Sequence, residues 1–482
     1  MEQIRRWTTG FGGPWGLAAV LALQTALAVL FALSPLAAVA VIGATMSVLV
    51  VLQYPLLGVG LLIVARLLST GATVFFRIGR MGIGPFEPAL ILCAGALVVQ
   101  AAVRHRGLAL RWPWRTPFLA LFGWAGLSLL WCVSKSDAIG DLIPMVLILA
   151  NTLVILTFVR TWTDFHWMAR AWFFGTIAIG VISVLLDMAG IQVGTVTFKA
   201  AAGGGRETGL GQQPNWYAMN LMFAVLPGVA LSLIERLPLR RMAYALGTLF
   251  ILFMMLKSGS RGGAYALVIG VFAISLFQAD LRRWFVRFGG VAGALVGIGL
   301  AFDFGGSAKA LARIGSNYAI EQNYRPLNWQ VCVEMFLNTW GRGIGAGGYE
   351  DLLPEYNNYL AESLYDYPHG IFWDVLAHYG AVGLGIVAAL VWIVGRMTVD
   401  LIRWTRGTVA EVFAWTMPAT ILAYGAWSWV EFTIDEKPFW EFLALYTALY
   451  LMVQAGQKQG LTLPAWDGFG KGRAPAPPRA GG

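Results

Sequence analysis

The chain has 482 residues, of which 58% are hydrophobic and 12% charged, with a net charge of +9. Soluble proteins carry about 25% charged residues, so this composition, at a mean hydropathy of +0.67, excludes an ordinary soluble domain and points to a membrane protein. The positive charge does not mark a nucleic-acid binder, because it lies in short connections and a basic tail where it sets topology and meets anionic lipid headgroups.

Apolar runs cover, in order, about 15–33, 36–52, 55–69, 88–103, 117–132, 142–159, 168–188, 216–234, 242–257, 262–279, 284–302, 370–395, 410–430 and 438–454. A full span needs about 20 residues, so the short early runs leave twelve to fourteen transmembrane helices. Ser34-Pro35 and Gln53-Tyr54-Pro55 break the first apolar region into three pieces. The first run is followed at once by others and reads as a retained span, not a cleaved signal. The expected fold class is all-α: a polytopic membrane helix bundle over 1–456, with one large outer loop at 303–369 inserted in it. From Gln457 the tail to 482 is rich in Pro, Gly and basic residues, cannot bury a core, and reads as a disordered cytoplasmic end. The 21 Trp and 58 Gly fit interfacial belts and close helix contacts. Cys93, Cys132 and Cys332 have no metal-ligand spacing, and no disulfide is inferred from an odd count.

Charge orients the bundle. Arg5 and Arg6, the groups around Arg104 to Arg115, Arg160 and Arg170, Arg236 to Arg241, Arg282 to Arg287, and Arg396 to Arg406 all fall on one side with fourteen spans, the side of both termini. That side is cytoplasmic by the positive-inside rule. A second set, Arg206, Arg261, Arg313, Arg325 and Arg342, falls on the opposite face, which should be poor in arginine. Cations placed against the rule are suited to hold something negative, and a lipid-linked pyrophosphate is the natural candidate.

Arg261 lies in Lys257-Ser258-Gly259-Ser260-Arg261-Gly262-Gly263, where small residues permit close approach and the next helix offers free N–H groups at its N-terminus. The alternative is an arginine that snorkels to the headgroups. Arg325 lies in Asn323-Tyr324-Arg325-Pro326-Leu327-Asn328-Trp329, ahead of the glycine-rich 343–348 segment, which is also able to lie close to a ligand; its alternative is a solvated surface arginine. Arg206 follows three glycines and precedes Gln213-Pro214-Asn215, but Glu207 is able simply to neutralise it. Of four histidines, only His369, in Tyr367-Pro368-His369-Gly370, sits at the outer mouth, where a neutral imidazole is able to accept a proton from a sugar hydroxyl. The alternative is a structural histidine at a helix start. His378, nine residues on, is inside a span on a different face. The outer acidic residues show no metal-ligand spacing, and Ser258 and Ser260 have no His-Asp partner in sequence that would make either a nucleophile.

These segments, in this order, resemble the O-antigen ligase and polymerase superfamily of bacterial envelope glycosyltransferases. The resemblance covers about residues 200–395 and rests on Gly-Leu-Gly-Gln-Gln-Pro-Asn at 209–215, Gly-Ser-Arg-Gly-Gly at 259–263, Tyr-Arg-Pro-Leu-Asn-Trp at 324–329, Gly-Arg-Gly-Ile-Gly-Ala-Gly at 341–347 and Pro-His-Gly-Ile-Phe-Trp-Asp-Val-Leu-Ala-His-Tyr-Gly at 368–380. It implies a bundle of the GT-C-like glycosyltransferase type in the bacterial inner membrane, with its active site on the periplasmic face and no metal or other cofactor. Arg261 and Arg325 would contact the pyrophosphate of an undecaprenyl-linked glycan, with Arg206, Arg342 and Asn215 as further binding residues. His369 would activate the acceptor hydroxyl. The family's His is usually followed by Asn, where this chain has Gly370. The acceptor would be lipid A–core for a ligase or a second lipid-linked repeat unit for a polymerase, with membrane lipids and a chain-length regulator as further partners. A lipid-linked oligosaccharide flippase and an envelope scaffold are the rival readings.

Overall fold

A computed structural model describes residues 48–69, 76–78, 81–104, 107–189, 210, 213–301, 325–356, 367–431 and 433–460. The helices are α1 (Pro55–Leu68), α2 (Phe86–Arg104), α3 (Arg115–Leu127), α4 (Lys135–Phe158), α5 (Trp162–Met188), α6 (Pro214–Ile234), α7 (Pro238–Lys257), α8 (Arg261–Phe277), α9 (Ala279–Ala301), α10 (Arg325–Asn338), α11 (Tyr349–Tyr356), α12 (Ile371–Thr405), α13 (Ala410–Ser428) and α14 (Lys437–Lys458). Each matches an apolar run except α10 and α11, which lie in the large loop. A small antiparallel hairpin, β1 (Phe76–Ile78) and β2 (Met81–Ile83), joins α1 to α2 and was not expected. The chain is an all-α polytopic membrane bundle. Among the described residues five helices, α4, α5, α6, α7 and α12, are long and apolar enough to cross a membrane by length and composition, with α1, α2 and α8 shorter. The run at 15–33 and most of 36–52 lie outside the described residues, as do 303–324 and 357–366 of the loop and 461–482 of the tail.

Helix starts are written in the sequence. Ser134 and Ser260 accept from the backbone N–H groups of Asp137 and Gly263, and Gln213 accepts from those of Asn215 and Trp216. Proline opens α1, α6, α7 and α14, where its missing N–H costs nothing. α6 is the central post, buried from Tyr217 to Leu233. Helix association in a bilayer rests on van der Waals contact between close-packed surfaces, not on escape from water. Two aromatic clusters supply it here: Trp112, Trp114, Phe118 and Trp440 meet largely edge to face, and Phe223 packs on Trp172, Tyr424 and Phe442. Exposed Leu130, Phe277, Val391 and Trp392 lie on the outside, as lipid-facing side chains do.

One long helix is broken. Gly380, at φ 60° and ψ −153°, interrupts α12. The break frees carbonyls that a continuous helix would pair, and the chain satisfies them from elsewhere. Ile344 N–H donates to the Ala377 carbonyl (2.9 Å), Gly345 N–H to His378 (2.9 Å), and the Trp124 indole to Tyr379 (3.0 Å), while Ala381 N–H donates back to Gly341 (2.9 Å). A Cβ at Gly380 would lie 2.2 Å from the Gly341 carbonyl oxygen. The glycine-rich segment therefore docks its backbone on the broken helix and not on a ligand: Gly343, Gly345 and Gly347 stand against the backbones of His378, of Ser128 and Cys132, and of Ala138.

Gly380→Ala must adopt backbone angles open essentially to glycine alone, a strain of about 1–3 kcal/mol before the clash is counted. Gly385→Ala, five residues on in regular helix with open space at its Cβ, should be neutral or stabilise by up to about 1 kcal/mol. Thermal unfolding of the purified protein should separate the two; equal melting temperatures would contradict this account of the break.

Candidate active site

The site forms where separate sequence segments meet one short stretch, 427–431, that leaves the end of α13. The N-terminus of α8 packs there first. A Cβ at Gly262 would lie 2.2 Å from the Trp427 Nε1, and one at Gly263 would lie 2.9 Å from the same ring. The small residues of the Arg261 turn are thus spent on an indole. Ser258 and Ser260 hold the turn together, Ser258 Oγ donating to the Met255 carbonyl and accepting from Ser260 N–H. Two residues on, the Trp429 carbonyl oxygen would lie 2.3 Å from a Cβ at Gly370, whose φ is 144°. This approach explains why the residue after His369 is glycine where the related pattern has asparagine. Phe372 stacks on the Trp429 ring at 4.7 Å.

The large loop reaches the same place through one face of α10. Arg325, Asn328 and Trp329 are spaced i, i+3, i+4 and share that face. Arg325 pairs with Glu431. Asn328 Nδ2 donates to the Tyr367 carbonyl (3.2 Å), and Trp329 Nε1 to the His369 carbonyl (3.2 Å). Trp329 also stacks on Trp373 of α12 at 5.2 Å. The Tyr-Arg-Pro-Leu-Asn-Trp motif is therefore one surface that holds the 367–369 segment, and the docking fixes His369 in the left-handed region at φ 51°. Such a conformation is uncommon for a residue with a side chain and gathers at functional sites.

His369 is 4% exposed. Burial first, and the Arg325 cation second, hold its imidazole down to about 3. It is neutral at physiological pH, the form that accepts a proton. The structure brings two of the sequence-expected residues together, since Arg325 acts electrostatically on His369, and the turn that holds Arg261 packs through Gly262 and Gly263 on Trp427 of the 427–431 stretch. Asn215 lies in the first turn of α6, and the α6–α7 pair places that turn at the end of the bundle where α8 begins. Arg342 is elsewhere, its guanidinium 5.0 Å above the Trp131 ring. Arg206 and Arg313 lie outside the described residues. Among the described residues no group of three His, Cys, Asp or Glu has metal-binding geometry.

Two residues escaped the sequence reading. Glu431 was not among the sequence candidates. It is 1% exposed, its Oε2 pairs with Arg325, and its Oε1 is buried with no protein partner. His378 was set aside as a residue within a span, yet its Nδ1 pairs with Asp374 at 3.0 Å just before the break. The break itself, at Gly380, is the signal that would have marked it.

The Arg325–Glu431 pair is asymmetric, since the arginine side chain is 25% exposed and the glutamate 1%. Arg325→Gln strands a buried carboxylate and should cost about 3 kcal/mol. Glu431→Gln leaves a cation that can turn toward water and should cost less. Adding Glu431→Gln to Arg325→Gln should recover part of the lost melting temperature. Equal and additive losses would show the pair to be uncoupled.

Residues 246–388 match the model of a family described as O-antigen ligase. The match runs from α7 into the first part of α12 and includes Arg261, Arg325, Arg342 and His369. No curated protein matches the chain. Over that part the chain is similar to the O-antigen ligase family, which supports the resemblance that the motifs implied.

Proposed function

We propose that the protein moves a glycan from an undecaprenyl-pyrophosphate carrier to a hydroxyl acceptor on the periplasmic face of the bacterial inner membrane, as an O-antigen ligase and without a metal. A membrane role of the O-antigen ligase or polymerase type follows from the family match. The donor, acceptor and mechanism are the proposal. The observation that carries it is the buried, neutral His369 beside the Arg325 cation, with the turn that holds Arg261 packed on the same 427–431 stretch through Gly262 and Gly263.

The chemistry balances with these groups. The acceptor hydroxyl loses its proton to an imidazole nitrogen of His369 as its oxygen bonds to the anomeric carbon. The bond from that carbon to the pyrophosphate oxygen breaks with inversion, and its electron pair leaves on the diphosphate. Arg261 and Arg325 hold that negative charge as it grows. The isoprenoid chain stays in the bilayer beside an apolar groove of 580 Å³ between α8, α12 and α13, bordered at one end by Ile371, Trp429 and Ile434. A polymerase uses the same steps with a second lipid-linked repeat unit as acceptor.

Purified protein given an undecaprenyl-pyrophosphate-linked glycan in EDTA, with lipid A–core and a second lipid-linked repeat offered in parallel, should glycosylate lipid A–core. Lengthened lipid-linked chains would make it a polymerase. Absence of any glycosidic product from protein that binds the donor would turn the reading to a flippase. His369→Gln should lower kcat by about 10²–10⁴-fold, the usual worth of a general base, and Arg261→Ala should abolish tight donor binding.

The pH profile adds a second test. A histidine at its ordinary value of about 6.5 would be neutral in about 3% of molecules at pH 5. With His369 held near 3, kcat/KM should instead stay level from pH 8 to pH 5. Removing the Arg325 cation raises the imidazole, so the residual activity of Arg325→Gln should begin to fall at a higher pH. A wild-type profile that falls through pH 6.5 would remove His369 as the base.

A further inference from the structure

Arg325 meets any ligand with one partner already in place. Glu431 accepts from that guanidinium through Oε2, and among the described residues Arg325 is its ion-pair partner. The two differ in freedom, since the arginine side chain is 25% exposed and the glutamate 1%. Glu431 Oε1 is buried and bonds to no protein donor, so the Arg325 cation is what compensates this carboxylate. The stretch that carries Glu431 is wedged on both faces: the Trp427 ring fills the space left by Gly262 and Gly263, and the Trp429 carbonyl abuts Gly370. The carboxylate is therefore a fixed anion, and the guanidinium is the more mobile member of the pair.

A fixed anion on the cation of a diphosphate site opposes binding, and it opposes one ligand more than another. A guanidinium carries five N–H donors in a planar fork, so Arg325 is able to keep Glu431 on one edge and take a phosphate on another. The two anions then stand a guanidinium's width apart, and their repulsion grows in proportion to the ligand's charge. In the transfer proposed above, the donor's diphosphate is esterified at both ends. The spent carrier is esterified at one end only, because the electron pair of the broken C–O bond stays on its terminal oxygen. It carries about one negative charge more, since the second ionisation of a terminal phosphate falls near pH 6. Arginines that stabilise the leaving group hold this product more tightly than the donor, and Glu431 counters that excess. Taking Arg325 wholly from Glu431 also leaves a buried charge uncompensated, which favours return of the pair.

We propose that Glu431 promotes release of the spent lipid diphosphate by competing with it for Arg325, and so limits product inhibition. This role rests on the transfer reading above. Glu431 acts through Arg325 and is a positioning residue. It weakens the hold on the leaving group and gains turnover in return.

Calorimetric titration of the full-length protein in detergent should compare farnesyl diphosphate, which has the product's free terminal phosphate, with its terminal methyl ester, which has the donor's charge. Glu431→Gln should tighten both and tighten the free diphosphate by about tenfold more, the effect of one unit charge at this range. Glu431→Asp keeps the charge and should keep the wild-type ratio. In transfer assays with either acceptor, Glu431→Gln should complete its first turnover at the wild-type rate or faster and then slow to a lower steady state. Added undecaprenyl diphosphate should inhibit it at about tenfold lower concentration than wild type. Equal tightening of the two ligands, weakening of both, or a wild-type steady state with no burst would overturn the role. The expected change of ratio in protein that forms no glycosidic bond would keep the action of Glu431 on terminal diphosphates and sink the transfer reading instead.

Discussion

The arrangement depends on a helix that does not run straight. By breaking at Gly380, α12 exposes the carbonyls of Ala377, His378 and Tyr379 to hydrogen-bond donors from other parts of the chain. Unpaired carbonyls in a bilayer are costly, so the break persists only because the 341–345 segment and Trp124 pair with them. That pairing anchors the large loop to the bundle, and the anchored loop carries α10 to the start of α12. The position of Arg325 beside His369 is thus a consequence of where backbone groups far from either are satisfied.

The second constraint is the crowding around 427–431. Trp427 occupies the space that Gly262 and Gly263 leave, and the Trp429 carbonyl occupies the space that Gly370 leaves. A side chain at any of these positions would push α8 or α12 away from the end of α13. Three motifs spread over more than a hundred residues of sequence are consequently held by contacts to a segment of five residues. None of the motifs contains that segment.

This explains what was legible in the sequence and what was not. Helix positions follow from apolar runs and starts from Ser, Gln and Pro, because these are local properties. Arg261, Arg325 and His369 were recognisable because small residues, charge and imidazole stand out against an apolar chain. What the glycines approach was misjudged: close packing needs a partner, and sequence does not say whether that partner is a ligand or an indole. Glu431 was hidden because its role is set by contact with α10, about a hundred residues earlier. Arg66 is a similar case. It is buried in α1 under the field of Glu441, Glu436 and Glu87, while Lys437 pairs with Glu87 at 2.8 Å. Burial, reinforced by Asp435 and opposed by Arg66, lifts Glu436 to about 8. Ionisable groups at such depth are rare unless they pair with one another, and only the folded contacts reveal the pairing.

In the proposed transfer, the same electrostatics make the base respond to the donor. With the site empty, burial and the Arg325 cation hold His369 far below its ordinary value, a weak acceptor of protons. A diphosphate arriving at Arg325 brings negative charge toward the imidazole and cancels the cation's effect, and both changes raise the basicity of His369. The base would then strengthen when the leaving group is in place and stay weak when it is not. Such coupling needs no moving part. It requires only that one arginine serve both the leaving group and the histidine, and the docking of α10 against the start of α12 provides that arrangement.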